Sequence, residues 1–365
     1  MSELTGYQEN VLRGRKASGA RGLLLGLALG ETLGAARGSL PPAGPLRAGV
    51  CTQLACFTVE GSIRAVVRGS HRGICHPPSV LWHAYCRWAA LQGIEPDRIR
   101  RRWDPYETGG WPDGWLAGVP VLAERRGSAP ATVEALVGLE QGKTDEPVTR
   151  SRGWHALGRT LPLALLGRPE AVDEWNRHAR DVAALTHGDP AVHSAASLAT
   201  LLARRCIAAG SIREGAESTL SALGSAGGPG AGEDDRLAAA LHEALAHPAD
   251  PARLARLAPD RTAPSALLGG LYAAASFPER TDVTSALHFA SGAPDGESVA
   301  CVAGALLGAA HGVEALPVEL VSRHELTWVL DTLARDLHSE LTESPSGSEY
   351  TEGWDPHWRE RYPGY

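Results

Sequence analysis

The feature that most restricts this chain is a pair of glycine strips. Gly22, Gly26, Gly30 and Gly34 recur every fourth residue, and Ala300, Gly304, Gly308 and Gly312 repeat the spacing far downstream. Residues four apart stack on one face of a helix, so each segment reads as a helix with one bare side. A glycine inside a helix costs about 1 kcal/mol relative to alanine. Such a run in register predicts another backbone close enough to offset that loss. Both helices are therefore expected to be central and tightly packed.

The rest of the chain follows an all-α pattern, because no segment sustains the two-residue alternation of a strand. Helices are predicted over 52–68, over 79–92 with Gly93 as terminator, and over 189–209 with Pro190 in its first turn. A further amphipathic helix is predicted over 319–341, where Leu326, Leu330, Leu333, Leu337 and Leu341 recur at three and four residues. Residues 224–233 hold Gly227, Gly228, Pro229, Gly230 and Gly232 and read as a flexible loop. The organisation expected is one helical domain over 1–341 and an aromatic-rich tail over 342–365. Tyr350, Trp354, Trp358, Tyr362 and Tyr365 are many rings for a disordered tail, so it is expected to dock on the domain, on a partner or on a second copy.

Charge and cysteine usage narrow the function classes. Lys plus Arg number 35 against 42 Asp plus Glu, a net charge of −7, which provides no basic field for a nucleic-acid groove. The run Arg98, Arg100, Arg101 and Arg102 reads as a solvated helix end. Cys51, Cys56, Cys75, Cys86, Cys206 and Cys301 form no CxxC pair, so reduced, mostly buried thiols are expected rather than a zinc site or disulfide framework. Arg13, Arg15 and Lys16 before the apolar run 22–30 imitate a signal peptide, but Glu31 interrupts the run, which is shorter than the ~20 residues of a membrane span. The expectation is a buried helix of a cytoplasmic protein with no membrane association. No GxSxG elbow, HExxH helix or Walker loop is present.

Four stretches, in order, carry a resemblance. They are RGLLLGLALGETLGA at 21–35, TQLACFTVE at 52–60, SRGWHALGRTLP at 151–162 with AALTHGDP at 183–190, and APDGESVACVAGALLGAAHG at 293–312. DGWL at 113–116 and RYPG near the end add to it. Together they resemble the ADP-ribosylglycohydrolases, of the dinitrogenase-reductase-activating glycohydrolase type and in particular their actinobacterial members. The resemblance implies a compact all-helical fold with a cleft for two magnesium ions, ADP-ribose and the bond to be cut, and ADP-ribose or an ADP-ribosylated protein as ligand. Magnesium needs hard oxygen ligands, and a pair of such ions can orient hydroxyls and activate water.

The carboxylates this chemistry uses are depleted. The family's Thr-Asp-Asp falls on Gly49, Val50 and Cys51, and a later family Glu falls on Gly38. Glu31 stands where an Asp is usual. Asp295, Glu297 and Ser298 keep their oxygens: they are either a remnant half-site holding magnesium weakly, with Asp295 and Glu297 as the catalytic candidates, or a solvated helix start with acids at the positive end of the helix dipole. On the ligand loop, Gly153 could offer its N–H to a diphosphate, whereas Trp154 either stacks on adenine or fills the pocket. His155 and His187 are ligand contacts or plain loop histidines, and Thr52 reads as the N-cap of its helix. The expectation is a catalytically degraded member with a binding or scaffolding role. The rival is a hydrolase that removes ADP-ribose from protein or nucleic acid with one magnesium ion or none.

Overall fold

In a computed structural model of the chain, which describes residues 2–166, 172–226 and 231–364, every regular element is helical. The helices are α1 (Ser2–Ala35), α2 (Val50–Arg72), α3 (Pro77–Leu91), α4 (Pro96–Trp103), α5 (Pro130–Gly138) and α6 (His155–Thr160). After them come α7 (Val172–Ala184), α8 (Pro190–Ala209), α9 (Ile212–Ala226), α10 (Ala231–Ala246), α11 (Pro251–Leu257) and α12 (Ala263–Ser276). The chain ends with α13 (Val283–Ser291), α14 (Gly296–His311), α15 (Val318–Val321), α16 (Thr327–Glu343) and α17 (Trp358–Arg361). Short 3₁₀ turns and isolated backbone bridges join them. The centre of the expected flexible loop, 227–230, lies outside the described residues, and α9 and α10 approach it from either side.

The two bare faces meet. A β-carbon placed on Gly22 would lie 2.1 Å from the carbonyl oxygen of Gly308, on Gly26 2.1 Å from that of Gly304, on Gly30 1.9 Å from that of Ala300, and on Gly34 2.3 Å from that of Gly296. Helices α1 and α14 thus run antiparallel in step, backbone against backbone, close enough for Cα–H groups to face carbonyl oxygens along the seam. The strip on α14 is the expected one lengthened by a turn: Gly296 joins Ala300, Gly304 and Gly308, and Gly312 lies against Gly22 and Ser18 of α1. Gly312 also ends α14 with φ +79°, a conformation glycine adopts without strain. Away from the seam Leu23, Leu24, Leu27 and Leu33 are fully buried, so the 22–34 part of α1 is enclosed on all sides and lies in the core of the molecule. The apolar run that imitates a signal peptide belongs to this buried helix.

Around this pair the expected helices fall into place with one exception. Helices α2, α3 and α8 cover the predicted spans, and Asp189 caps α8 by accepting from the Ala191 N–H at 2.9 Å. The helix predicted over 319–341 is broken into α15 and α16. The backbone of 323–325 turns aside to pair with Leu46, whose N–H donates to the Arg323 carbonyl at 2.8 Å and whose carbonyl accepts from Glu325 at 3.0 Å. Leu326, Leu330, Leu333 and Leu337 are buried as their spacing predicts, whereas Leu341 is exposed and the helix start lies later than expected. Among the described residues one helix, α2, is long and apolar enough to cross a membrane, yet 94% of its apolar window is buried inside the protein.

The tail docks on the chain's own helices. Trp358 and Tyr362 are buried, and the Tyr362 hydroxyl donates to Asp336 at 2.5 Å. Ser346 donates to Glu340 at 2.7 Å, and the Glu349 N–H to the Ser70 carbonyl at 3.0 Å. The two short motifs of the sequence meet here, with the Arg361 guanidinium over the Trp115 ring at 5.1 Å. Tyr350 and Trp354 stay exposed, and Tyr365 lies outside the described residues.

Gly26→Ala should lower stability by roughly 2 kcal/mol or more, since the added methyl has only backbone to displace. Gly14→Ala, on the exposed start of the same helix with nothing within 4 Å, should instead raise it by about 1 kcal/mol through helix propensity. Denaturant unfolding of both variants tests the seam, and equal effects would refute it.

Candidate functional site

At one end of the seam, three helix termini come together. The Gly34–Gly296 contact brings the end of α1 against the start of α14, and Glu31, one turn back on α1, points at the start of α2. Its carboxylate accepts from the N–H groups of Cys51 and Thr52, each at 2.8 Å, and from the Thr52 hydroxyl at 2.5 Å. A carboxylate from another helix thus satisfies N–H groups that the first turn of α2 leaves without partners. Gly49, at the N-cap, is glycine because a β-carbon there would sit 2.1 Å from the Glu31 carboxylate. Thr52 is therefore not the cap itself but a donor to the group that caps, and both Glu31 oxygens are engaged at the start of α2.

Asp295 and Glu297 sit at the start of α14. Asp295 is at the N-cap and nearly buried, and Glu297 is partly exposed in the first turn. The space in front of them is taken by Arg261, whose Nε donates to Asp295 Oδ1 at 2.8 Å and whose terminal nitrogen lies 3.7 Å from Glu297. The guanidinium is 75% exposed, so it covers the pair from the solvent side. Water screens such an interaction, and its importance is occupancy rather than stability. Burial raises the Glu297 carboxyl, the charge of Asp295 adds to this, and Arg261 opposes it. Ser298 is fully buried, and its hydroxyl donates to the Asp295 carbonyl at 3.1 Å.

The ligand loop is fastened to the same arginine's strand of chain. The Trp154 N–H donates to the Arg261 carbonyl at 3.2 Å, the Ala263 N–H to the Arg152 carbonyl at 3.0 Å, and Gly153 bridges Thr262. The Gly153 N–H donates to Ser151 Oγ at 3.2 Å. Neither N–H is directed outward at a diphosphate. Trp154 is 2% exposed, stacks on His155 at 4.6 Å between centroids, and together with the Cys51 thiol closes over Gly158. Of the two readings for Trp154, the one in which it fills the interior describes its position. Burial pushes His155 down to about 4, with the charges of Arg159 and Arg261 adding, so this imidazole is neutral near pH 7. His187 is buried behind Gly153, paired with the Thr186 hydroxyl at 2.8 Å, and burial lowers it well below the usual histidine range.

Gly153, Trp154, His155, His187, Asp295, Glu297 and Ser298 are thus brought into one region, with Arg261 linking the acidic pair to the loop. As a donor set for two magnesium ions the region falls short. Val50 and Cys51 supply no oxygen side chain, and Asp295 and Glu297 already face a guanidinium. Among the described residues, no group of three or more His, Cys, Asp or Glu side chains converges as a metal-ligand set. A cavity of about 780 Å³ beside α3 and α4 is lined by other residues.

Sequence reasoning missed Arg261. The one local signal was Asp260, Thr262 and Ser265, the start of α12: the Thr262 hydroxyl accepts from the Ser265 N–H, and Pro264 lies in the first turn. That signature places Arg261 just before a helix cap, and nothing local says what its side chain meets 34 residues away.

The profile of the family described as ADP-ribosylglycohydrolase matches residues 13–346. A solved structure titled "ADP-ribosylglycohydrolase-related protein complex" superposes with a TM-score of 0.54 at 21% sequence identity, over 89% of this chain and 98% of that chain. At that identity the likeness shows the fold. No curated protein matches the chain.

Glu31 generates a pH prediction. Burial, with the Glu297 charge adding and the Thr52 hydrogen bond opposing, pushes its carboxyl from 4.5 up to about 7. Between those values the folded chain holds a proton that the unfolded chain has released, so the Glu31 contribution is complete below pH 4.5 and is lost as the pH rises through about 7. The wild type should therefore lose more stability than Glu31→Gln between pH 5 and pH 8 in urea unfolding. Parallel pH profiles would show that Glu31 does not titrate in this way.

Proposed function

The chain belongs to the ADP-ribosylglycohydrolase family, and on that premise we propose that this protein has given up the two-magnesium hydrolysis and serves as a binding or scaffolding protein on the same helical body. The observation that carries this reading is the Arg261 guanidinium across Asp295 and Glu297. A guanidinium carries the positive charge a cation would bring, is more weakly hydrated than a divalent ion, and activates no water. The replaced carboxylates at Val50, Cys51 and Gly38 and the commitment of Glu31 to α2 point the same way. Any retained affinity for ADP-ribose or a nucleotide would have to use groups other than the Gly153 and Trp154 N–H donors, which are already engaged. The exposed rings of Tyr350 and Trp354 support a protein partner or a second copy as the alternative ligand.

A second reading rests on one atom. Asp295 Oδ2 is buried without a hydrogen-bond partner, and such an oxygen suits a general base in an ADP-ribosyl hydrolase that uses one magnesium ion or none.

Calorimetric titration with magnesium should give no saturable heat, and peptides ADP-ribosylated on arginine or serine should not be turned over. Turnover that disappears in Asp295→Asn would transfer the conclusion to the second reading. Saturable magnesium binding that is lost in the same variant would defeat the first. Size exclusion of the wild type against Trp354→Ser checks self-association without removing the buried part of the tail.

A further inference from the structure

Far along the chain from Arg261, an open cavity of about 780 Å³ lies between the C-terminal part of α2, α3 and α4, the segment 104–113, and Pro363 and Gly364 of the tail. Its wall carries three rings. Trp103 stacks on His83 with centroids 4.2 Å apart. Trp111 lies within 6° of the His83 plane, its centroid 6.2 Å away, and its indole N–H donates to His83 Nε2 at 2.9 Å. Near-parallel planes joined through ring nitrogens at that spacing make His83 and Trp111 one continuous flat surface.

The polar groups of the cavity differ in how much of their capacity is used. Arg64 is paired with Glu60 and, at 2.9 Å, with Asp113, and Arg87 behind it is also paired with Glu60. Asp104 spends its carboxylate on the N–H and hydroxyl of Thr108 and the N–H of Gly109. Arg68, one turn after Arg64 on α2, is half-buried in the lining, and no carboxylate among the described residues lies within ion-pair distance of it. His83 has a second open donor. An indole N–H can only donate, so Nε2 is the bare nitrogen and Nδ1 carries the hydrogen, which no described residue accepts. Burial and the nearby Arg87 hold His83 down at about 3, which keeps this tautomer neutral at ordinary pH.

We propose that this cavity is a second ligand site, separate from the acidic cluster, for a small planar aromatic anion: its ring lies against the His83–Trp111 surface and its anionic group on Arg68. Stacking on a flat aromatic wall supplies affinity, and a guanidinium recognises carboxylate and phosphate alike. The volume falls within the range usual for small-molecule sites. No metal is required.

The probes are 2-naphthoate and 1-naphthyl phosphate, with uncharged 2-naphthol for comparison, titrated into the full chain by calorimetry. At least one anion should bind saturably and about tenfold more tightly than 2-naphthol, as a charge-assisted contact warrants. Arg68→Gln should remove that advantage and leave 2-naphthol unchanged. Trp111→Leu should weaken whatever binds, its fold verified by circular dichroism, and Arg68→Gln remains decisive if that variant is unstable. Arg261→Gln, at the other site and on a side chain that is 75% exposed, should have no effect. The proposal is overturned by the absence of saturable heat with either anion at millimolar concentration, by unchanged affinity in Arg68→Gln, or by binding that depends on Arg261.

Discussion

Two helical backbones can approach until carbonyl oxygens touch α-carbons only where side chains are missing. The contact between α1 and α14 is built on that condition. It is unforgiving in register, because a shift of one residue would set leucine or valine against backbone. It therefore fixes which end of α14 meets which end of α1. At one end the seam sets Gly34 against Gly296, and so brings Glu31 within reach of the charge of Glu297, which in turn feels Asp295.

Around that end the electrostatics have been rearranged rather than emptied. Carboxyl groups remain at Glu31, Asp295 and Glu297, and each has found a partner made of protein. Glu31 faces backbone N–H groups at the positive end of α2. Asp295 and Glu297 face a guanidinium brought by the turn before α12. The same turn is stitched to the loop that carries Trp154, so the arginine, the ring and the acidic pair form one unit. Val50, Cys51 and Trp154 are buried beside that unit.

The opposite flank shows a different economy of charge. Glu60, Arg64, Arg87 and Asp113 pair among themselves in the interior, where leaving any one alone would be costly. Tail residues close over this flank, Arg361 resting on Trp115 and Gly364 beside Arg68. Two short motifs far apart in sequence thus share one surface, next to the aromatic cavity.

What the sequence determined by itself was periodic or local. The glycine spacing, the leucine spacing of α16 and the Pro and Asp signals at α8 are all written in neighbouring residues, and each led to the right helix. What only the tertiary structure decided were pairings between distant parts. Glu31 capping α2, Leu46 drawing 323–325 out of a helix, Gly296 joining the α14 strip against Gly34 and Arg261 crossing to Asp295 each depend on where two separate segments come to rest. The physical reason is that periodicity records which face of an element is bare or apolar, whereas the partner of a charge is set by the packing of the whole body.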